Sequence, residues 1–155
     1  MTQFKFDDRY ITWTKLDWLE HVEAFVYSAD PARRTVDALF KFAPLQKAML
    51  HRHKAPYTTF VVQGELRFYS ADGTLREIRP AGSYVPGVLN GEPHLEGGGE
   101  EEAIVFFTHH SVEDALYEFL DGDMKPVISL RFDDARALLE AQGTPQWKRH
   151  PESVA

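Results

Sequence analysis

The chain contains no cysteine. Its absence excludes disulfides, thiolate catalysis and sulfur ligation, so any transition-metal site must be built from histidine, carboxylate or water. No long hydrophobic run is present either; the longest aliphatic–aromatic stretch is Ala103-Ile-Val-Phe-Phe107. With no apolar segment behind Met1, the sequence predicts neither a signal peptide nor a transmembrane helix, and a cytoplasmic location is the expectation. Positive charge is also scarce. Seventeen Lys and Arg face 24 Asp and Glu, a net charge of -7, which speaks against nucleic acid or an anionic membrane as partner. No glycine-rich phosphate loop, Ser-His-Asp order or redox motif occurs.

What is present suits one domain: 155 residues, 43% hydrophobic and 13% aromatic, enough to enclose a single core. Residues 1–30 are expected to be an aromatic arm, with Trp13 and Trp18 laid on the barrel or on a neighbouring subunit. From residue 31 the pattern has period two. Val36, Ala38, Phe40 and Phe42 alternate with Asp37, Leu39 and Lys41, as in a half-buried strand. Further on, Thr58, Phe60, Val62, Leu66 and Phe68 share a parity that is apolar apart from the threonine, so this face is expected to look inward, with a bulge or bend at Gly64. Asp72-Gly73 marks a hairpin, a short strand ends at Pro86, Glu96–Glu102 (EGGGEEE) is expected to be a solvated turn, and two strands flank Asp121-Gly122. Helical spacing follows Phe132, with Asp133 as N-cap and Gly143 at the C-terminal boundary. The fold class is therefore all-β, an antiparallel barrel over residues 31–143 closed by one C-terminal helix, with 144–155 as a loose tail.

Seven histidines carry the chemical signal. His51 and His53 stand at i and i+2 on an expected strand, so their imidazoles share one face and Arg52 points away. Such a pair arises by chance and often marks ordinary hydrogen-bonded histidines. His94, after a turn-rich segment, supplies a third imidazole. Three of them hold Fe, Zn, Ni or Cu and leave open positions for substrate and dioxygen. Met49, Thr58 and Phe60 share the faces expected to line the pocket, although core packing explains Met49 and Phe60 equally well. His109 and His110 end an apolar strand; one of them facing the barrel, near the metal or substrate, is the alternative to the preferred reading of strand caps in solvent. His21 and His150 have no partner pattern.

His51-Arg-His53, Gly64 eleven residues later, and Ala81-Gly-Ser-Tyr-Val-Pro-Gly87 leading to Pro93-His94 resemble the two motifs of the cupins. The usual first motif adds a glutamate after the histidine pair, and counting back from Gly64 that place falls on Thr58. The sequence over residues 31–143 is more similar to the three-histidine cupins related to acetylacetone-cleaving dioxygenase and 2,4′-dihydroxyacetophenone dioxygenase. The resemblance implies a jelly-roll barrel and one divalent metal on His51, His53 and His94, iron(II) first, with zinc or nickel as purified. It implies no catalytic residue beyond the ligands, and oxidative C–C cleavage of a small enolisable ketone by dioxygen. It also implies a homodimer, which the apolar N-terminal segment supports. The alternatives are a non-catalytic metal- or small-molecule-binding barrel, a zinc hydrolase, and a metal-free epimerase, for which no inward aspartate was apparent.

Overall fold

The structure, a computed structural model, describes residues 4–147. Twelve strands form two six-stranded antiparallel sheets. In chain order they are β1 Thr14–Lys15, β2 Val22–Asp30, β3 Thr35–Phe42, β4 His51–His53, β5 Tyr57–Gln63, β6 Glu65–Ser70, β7 Leu75–Pro80, β8 Tyr84–Pro86, β9 His94–Gly98, β10 Ala103–His109, β11 Ala115–Leu120 and β12 Pro126–Arg131, followed by helix α1, Phe132–Gln142. The first sheet runs β1-β2-β3-β10-β5-β8 and the second β12-β11-β4-β9-β6-β7. Non-consecutive neighbours in both sheets are the jelly-roll pattern, and the expected all-β fold with one C-terminal helix is what forms. Among the described residues no helix is long and apolar enough to cross a membrane.

Alternation places the core. Val36, Ala38, Phe40 and Phe42 of β3 are buried between the sheets with Val61, Val105, Phe107 and Phe119. The other parity of the first sheet is covered as well. Phe25, Leu39 and Ile104 form a second apolar cluster on its outer face, under Phe6, Ile11 and Trp13. Trp13 donates its indole N–H to Asp8 at 2.8 Å, and Trp18 packs edge-on against Phe119 at 4.8 Å. Both tryptophans thus pack on the barrel, and within residues 1–30 β2 is a full strand paired along β3.

One expected parity is reversed. In β5 the buried residues are Tyr57, Thr59, Val61 and Gln63, while Thr58 and Val62 are half-buried and Phe60 is 41% exposed. The reason lies at Gly64, with φ +72°, and in a register shift against β10 at Ile104/Val105. The chain crosses there from the first sheet to the second, so the inward face changes parity between Val61 and Leu66. A side chain at Gly64 would also meet the Glu102 carbonyl oxygen at 2.5 Å; only glycine satisfies both the left-handed φ and the close approach.

Helix α1 buries Phe132 and Ala135. Its boundary differs from the expectation. Arg131 is the N-cap, its N–H donating to the Asp134 carboxylate at 2.8 Å, because Asp133 already lies inside the first turn. Gly143 takes φ +73° past the C-terminus, as expected. The Gln142 amide makes two 2.8 Å bonds to the Val26 backbone, tying α1 to β2. Trp147 packs on Phe25 and Tyr27, so the expected loose tail is docked at least that far; 148–155, including His150, lies outside the described residues.

Candidate metal centre

β4 lies between β11 and β9 in the second sheet, with His51 opposite His94 in the β4–β9 register. Period-two geometry turns His51 and His53 to the interior, and in the same way turns His94 and Glu96 of β9 toward them. One ligand atom from each of these four residues lies within 4.8 Å of the other three. Glu96 Oε1 is 2.7 Å from His94 Nε2, 3.3 Å from His51 Nε2 and 3.6 Å from His53 Nε2. The three predicted histidines are therefore brought together, and a carboxylate joins them from a place the sequence reading treated as solvated.

The run Glu96–Glu102 is not a solvated turn. Glu96 and the three glycines behind it are buried; Glu100 and Glu101 are the exposed part. The glycines let the 43–48 segment cross against β9. A Cβ at Gly97 would stand 1.8 Å from the Gln46 carbonyl oxygen, and Ala48 N–H donates to the Glu96 carbonyl at 2.7 Å. That crossing fixes the backbone that holds the carboxylate.

Electrostatics in the cluster follow from burial and proximity. Burial pushes the Glu96 carboxyl up, but hydrogen bonds from His51 and His94 and the His53 imidazole 3.6 Å away outweigh it and hold the acid well below the usual range. Burial lowers His51, and the bond to Glu96 with its charge raises it to a net upward shift. His53 has the opposite balance: burial dominates and brings it down to about 3. His51 Nδ1 lies 3.0 Å from the Met49 carbonyl; with a metal bound, Nδ1–H would donate there and Nε2, which donates to Glu96 in the metal-free fold, would be the ligand atom. Met49 thus acts through its backbone, and its side chain packs against the core. Both ring nitrogens of His53 are buried with no hydrogen-bond partner. Among the described residues nothing satisfies them, and a cation among the four donors would take up one of the two. The residues fit a divalent metal in number, donor type and orientation.

Thr58 and Phe60 do not reach this centre. They lie on the outer parity of β5, and the carboxylate that reaches the histidines is Glu96. Tyr57 takes the inward role, its ring stacked on His53 at 3.6 Å and 11°. A cleft of about 520 Å³ leads to His53 and His94 past Tyr57, Phe68 and Arg79. Arg79 lies over the Phe68 ring and donates to Thr59 and Glu77.

His109, expected in solvent, is buried, while His110 is exposed. Its Nδ1–H donates to the Val36 carbonyl at 3.1 Å, and its Nε2 accepts from the Tyr117 hydroxyl at 2.8 Å. Burial lowers its pKa to about 4. A histidine whose folded value lies below the unfolded 6.5 contributes stability that is complete above pH 6.5 and lost as pH falls toward 4. The His109 contribution to that loss should reach about 2 kcal/mol by pH 5. Urea unfolding of wild type and His109→Asn at pH 7.5 and pH 5 checks this: the stability difference between the two proteins should narrow by that amount.

No family model matches the chain, and no curated protein matches it in sequence. Solved structures do match in shape. An RmlC-like cupin protein from Ralstonia eutropha superposes with TM-score 0.70 at 16% identity, over 91% of this chain and 87% of that one. The fold is that of the cupins. Two further cupin-like neighbours carry a named activity. An acetylacetone dioxygenase from Acinetobacter johnsonii superposes with TM-score 0.67 at 16% identity, covering 92% and 93% of the two chains. A putative acetylacetone dioxygenase from Methylibium petroleiphilum gives 0.66 at 15%, covering 90% and 99%. At these identities the likeness is one of cupin fold.

Proposed function

We propose that His51, His53, His94 and Glu96 hold one divalent metal ion, iron(II) in the working protein and zinc or nickel in some preparations. We further propose that this cupin barrel is a dioxygenase cleaving a C–C bond in a small enolisable ketone, a β-dicarbonyl or α-hydroxyketone. The observation that carries the reading is the convergence of four donor atoms on a buried point beside an imidazole with no other partner; the fold shared with an acetylacetone dioxygenase supports the choice of chemistry. Bound iron(II) would supply a Lewis acid for an enolate and reducing electrons for dioxygen.

The chain's own groups set the conditions. The Met49 carbonyl orients His51. Glu96 brings one negative charge to a divalent site, so the residual charge is single and a monoanionic ligand matches it. This revises the expectation of a ligand set of three histidines alone. Phe40, Phe107 and Phe119 form an apolar wall on the Glu96 side, while the cleft at His53 and His94 is the route in. Oxygen uptake by anaerobically iron-loaded protein across a panel of β-diketones and α-hydroxyketones tests the reading. One ketone should raise uptake at least tenfold over the iron-loaded blank, and His51→Ala should abolish it. Metal binding with no uptake across the panel would instead assign a non-catalytic binding module.

We also propose that two copies pair. Trp13 and Trp18 are used within the chain, so the apolar surface lies elsewhere: Phe60 and Tyr84 stand opposite each other on β5 and β8, 41% and 68% exposed, a cross-strand pair beside an open sheet edge. Sedimentation should give a dimer mass, and Tyr84→Glu should shift it toward monomer.

A further inference from the structure

The barrel holds a second chamber, away from the cleft at His53 and His94. It measures about 310 Å³ and lies beneath α1, between Trp18, Ala38, Ile128, Leu138 and the His109–Tyr117 pair. Small side chains make the space: Ala24 and Ala38 on the sheet and Ala135 on the helix all face it. An engineered apolar cavity of about 150 Å³ already takes up benzene, and this chamber has twice that volume. Leu16 on one side and Ser129, Asp134 and Ala137 on the other also border it, which gives access between the N-terminal segment and the helix.

We propose that this chamber is a binding site for a small apolar ring or branched alkyl group bearing one hydroxyl. The polar complement follows from the hydrogen bonds. His109 Nδ1 faces a carbonyl, an acceptor only, so it carries the proton and Nε2 is the lone pair. Tyr117 must then donate to Nε2. With its proton committed, the buried Tyr117 oxygen retains acceptor capacity, and a ligand hydroxyl is the complement it lacks. The remaining wall is largely aliphatic and aromatic, so a charged ligand is disfavoured. This site does not depend on the metal reading.

Calorimetric titration of the metal-free full chain with p-cresol and with toluene tests it, since the two probes share a ring and a methyl group and differ by one hydroxyl. p-Cresol should bind about tenfold more tightly than toluene. Tyr117→Phe should bring the two probes together by weakening p-cresol alone. The double variant Ala38→Leu, Ala135→Leu fills the chamber without breaking strand or helix. It should reduce binding of both probes at least tenfold at an unchanged or higher unfolding temperature. No heat of binding from either probe to the wild type, or equal p-cresol binding by the filled variant, would overturn the proposal. Toluene matching p-cresol in the wild type would overturn the assigned role of Tyr117.

Discussion

Replacing His53 by leucine should abolish metal binding while leaving the metal-free protein at least as stable as the wild type. The two effects have one origin. In the metal-free fold both nitrogens of His53 are buried and unpaired, and an unsatisfied buried polar group costs about 1–3 kcal/mol. Leucine removes those atoms, fills similar space beside Tyr57 and Phe107, and lifts that cost. A metal-binding site tolerates such a residue because the ligand interaction offsets the desolvation. Losing an outer-shell partner already lowers metal affinity about 10–100-fold, and a lost ligand lowers it further. Metal content by plasma emission and urea unfolding of both metal-free proteins would check the two halves. Glu96→Gln should also weaken metal binding, since it removes the one anionic donor while keeping the shape. A His53→Leu protein that retains full metal content would mean the ion sits elsewhere.

The second large effect is expected at Gly97. A methyl group there would stand 1.8 Å from the Gln46 carbonyl oxygen, a backbone atom with no rotamer to change. Either β9 or the 43–48 segment must move. We expect Gly97→Ala to cost about 3 kcal/mol or more, at the upper end for overpacking, and to displace Glu96, its immediate neighbour. Metal affinity should therefore fall together with stability. Gly122→Ala is the control, because nothing lies within 4 Å of a Cβ there; surface changes of that kind stay within about 0.5 kcal/mol. Equal stability of the two variants would show that the glycine run is not the close crossing described.

These residues also mark where the sequence could be read and where it could not. The strand periodicity of β3, the apolar run of β10, the hairpin at Asp72-Gly73 and the helix after Phe132 all follow from local pattern, and so does the shared face of His51 and His53. Glu96 was present in the same grammar. His94-Leu-Glu96 repeats the i, i+2 spacing of His51-Arg-His53 and pairs with it across β4 and β9. It was masked by its neighbours, since a glutamate opening an acidic, glycine-rich run looks solvated until the glycines are known to admit a crossing chain. Thr58 failed for a different reason. Gly64 marks a bend through which the parity of β5 does not continue, and a one-residue change of phase turns every side chain to the other face. His109 shares its parity with Val105 and Phe107, so its burial was legible. The Tyr117 hydroxyl and the Val36 carbonyl that make that burial affordable come from other strands, and no local pattern announces them.

The central claim is that one metal ion sits among His51, His53, His94 and Glu96. Anomalous diffraction from crystals grown with iron(II) under anaerobic conditions tests it most directly. The expected result is a single iron peak about 2.0–2.2 Å from the three Nε2 atoms and a Glu96 oxygen. A cluster without an iron peak, or iron bound only at other residues, would contradict it.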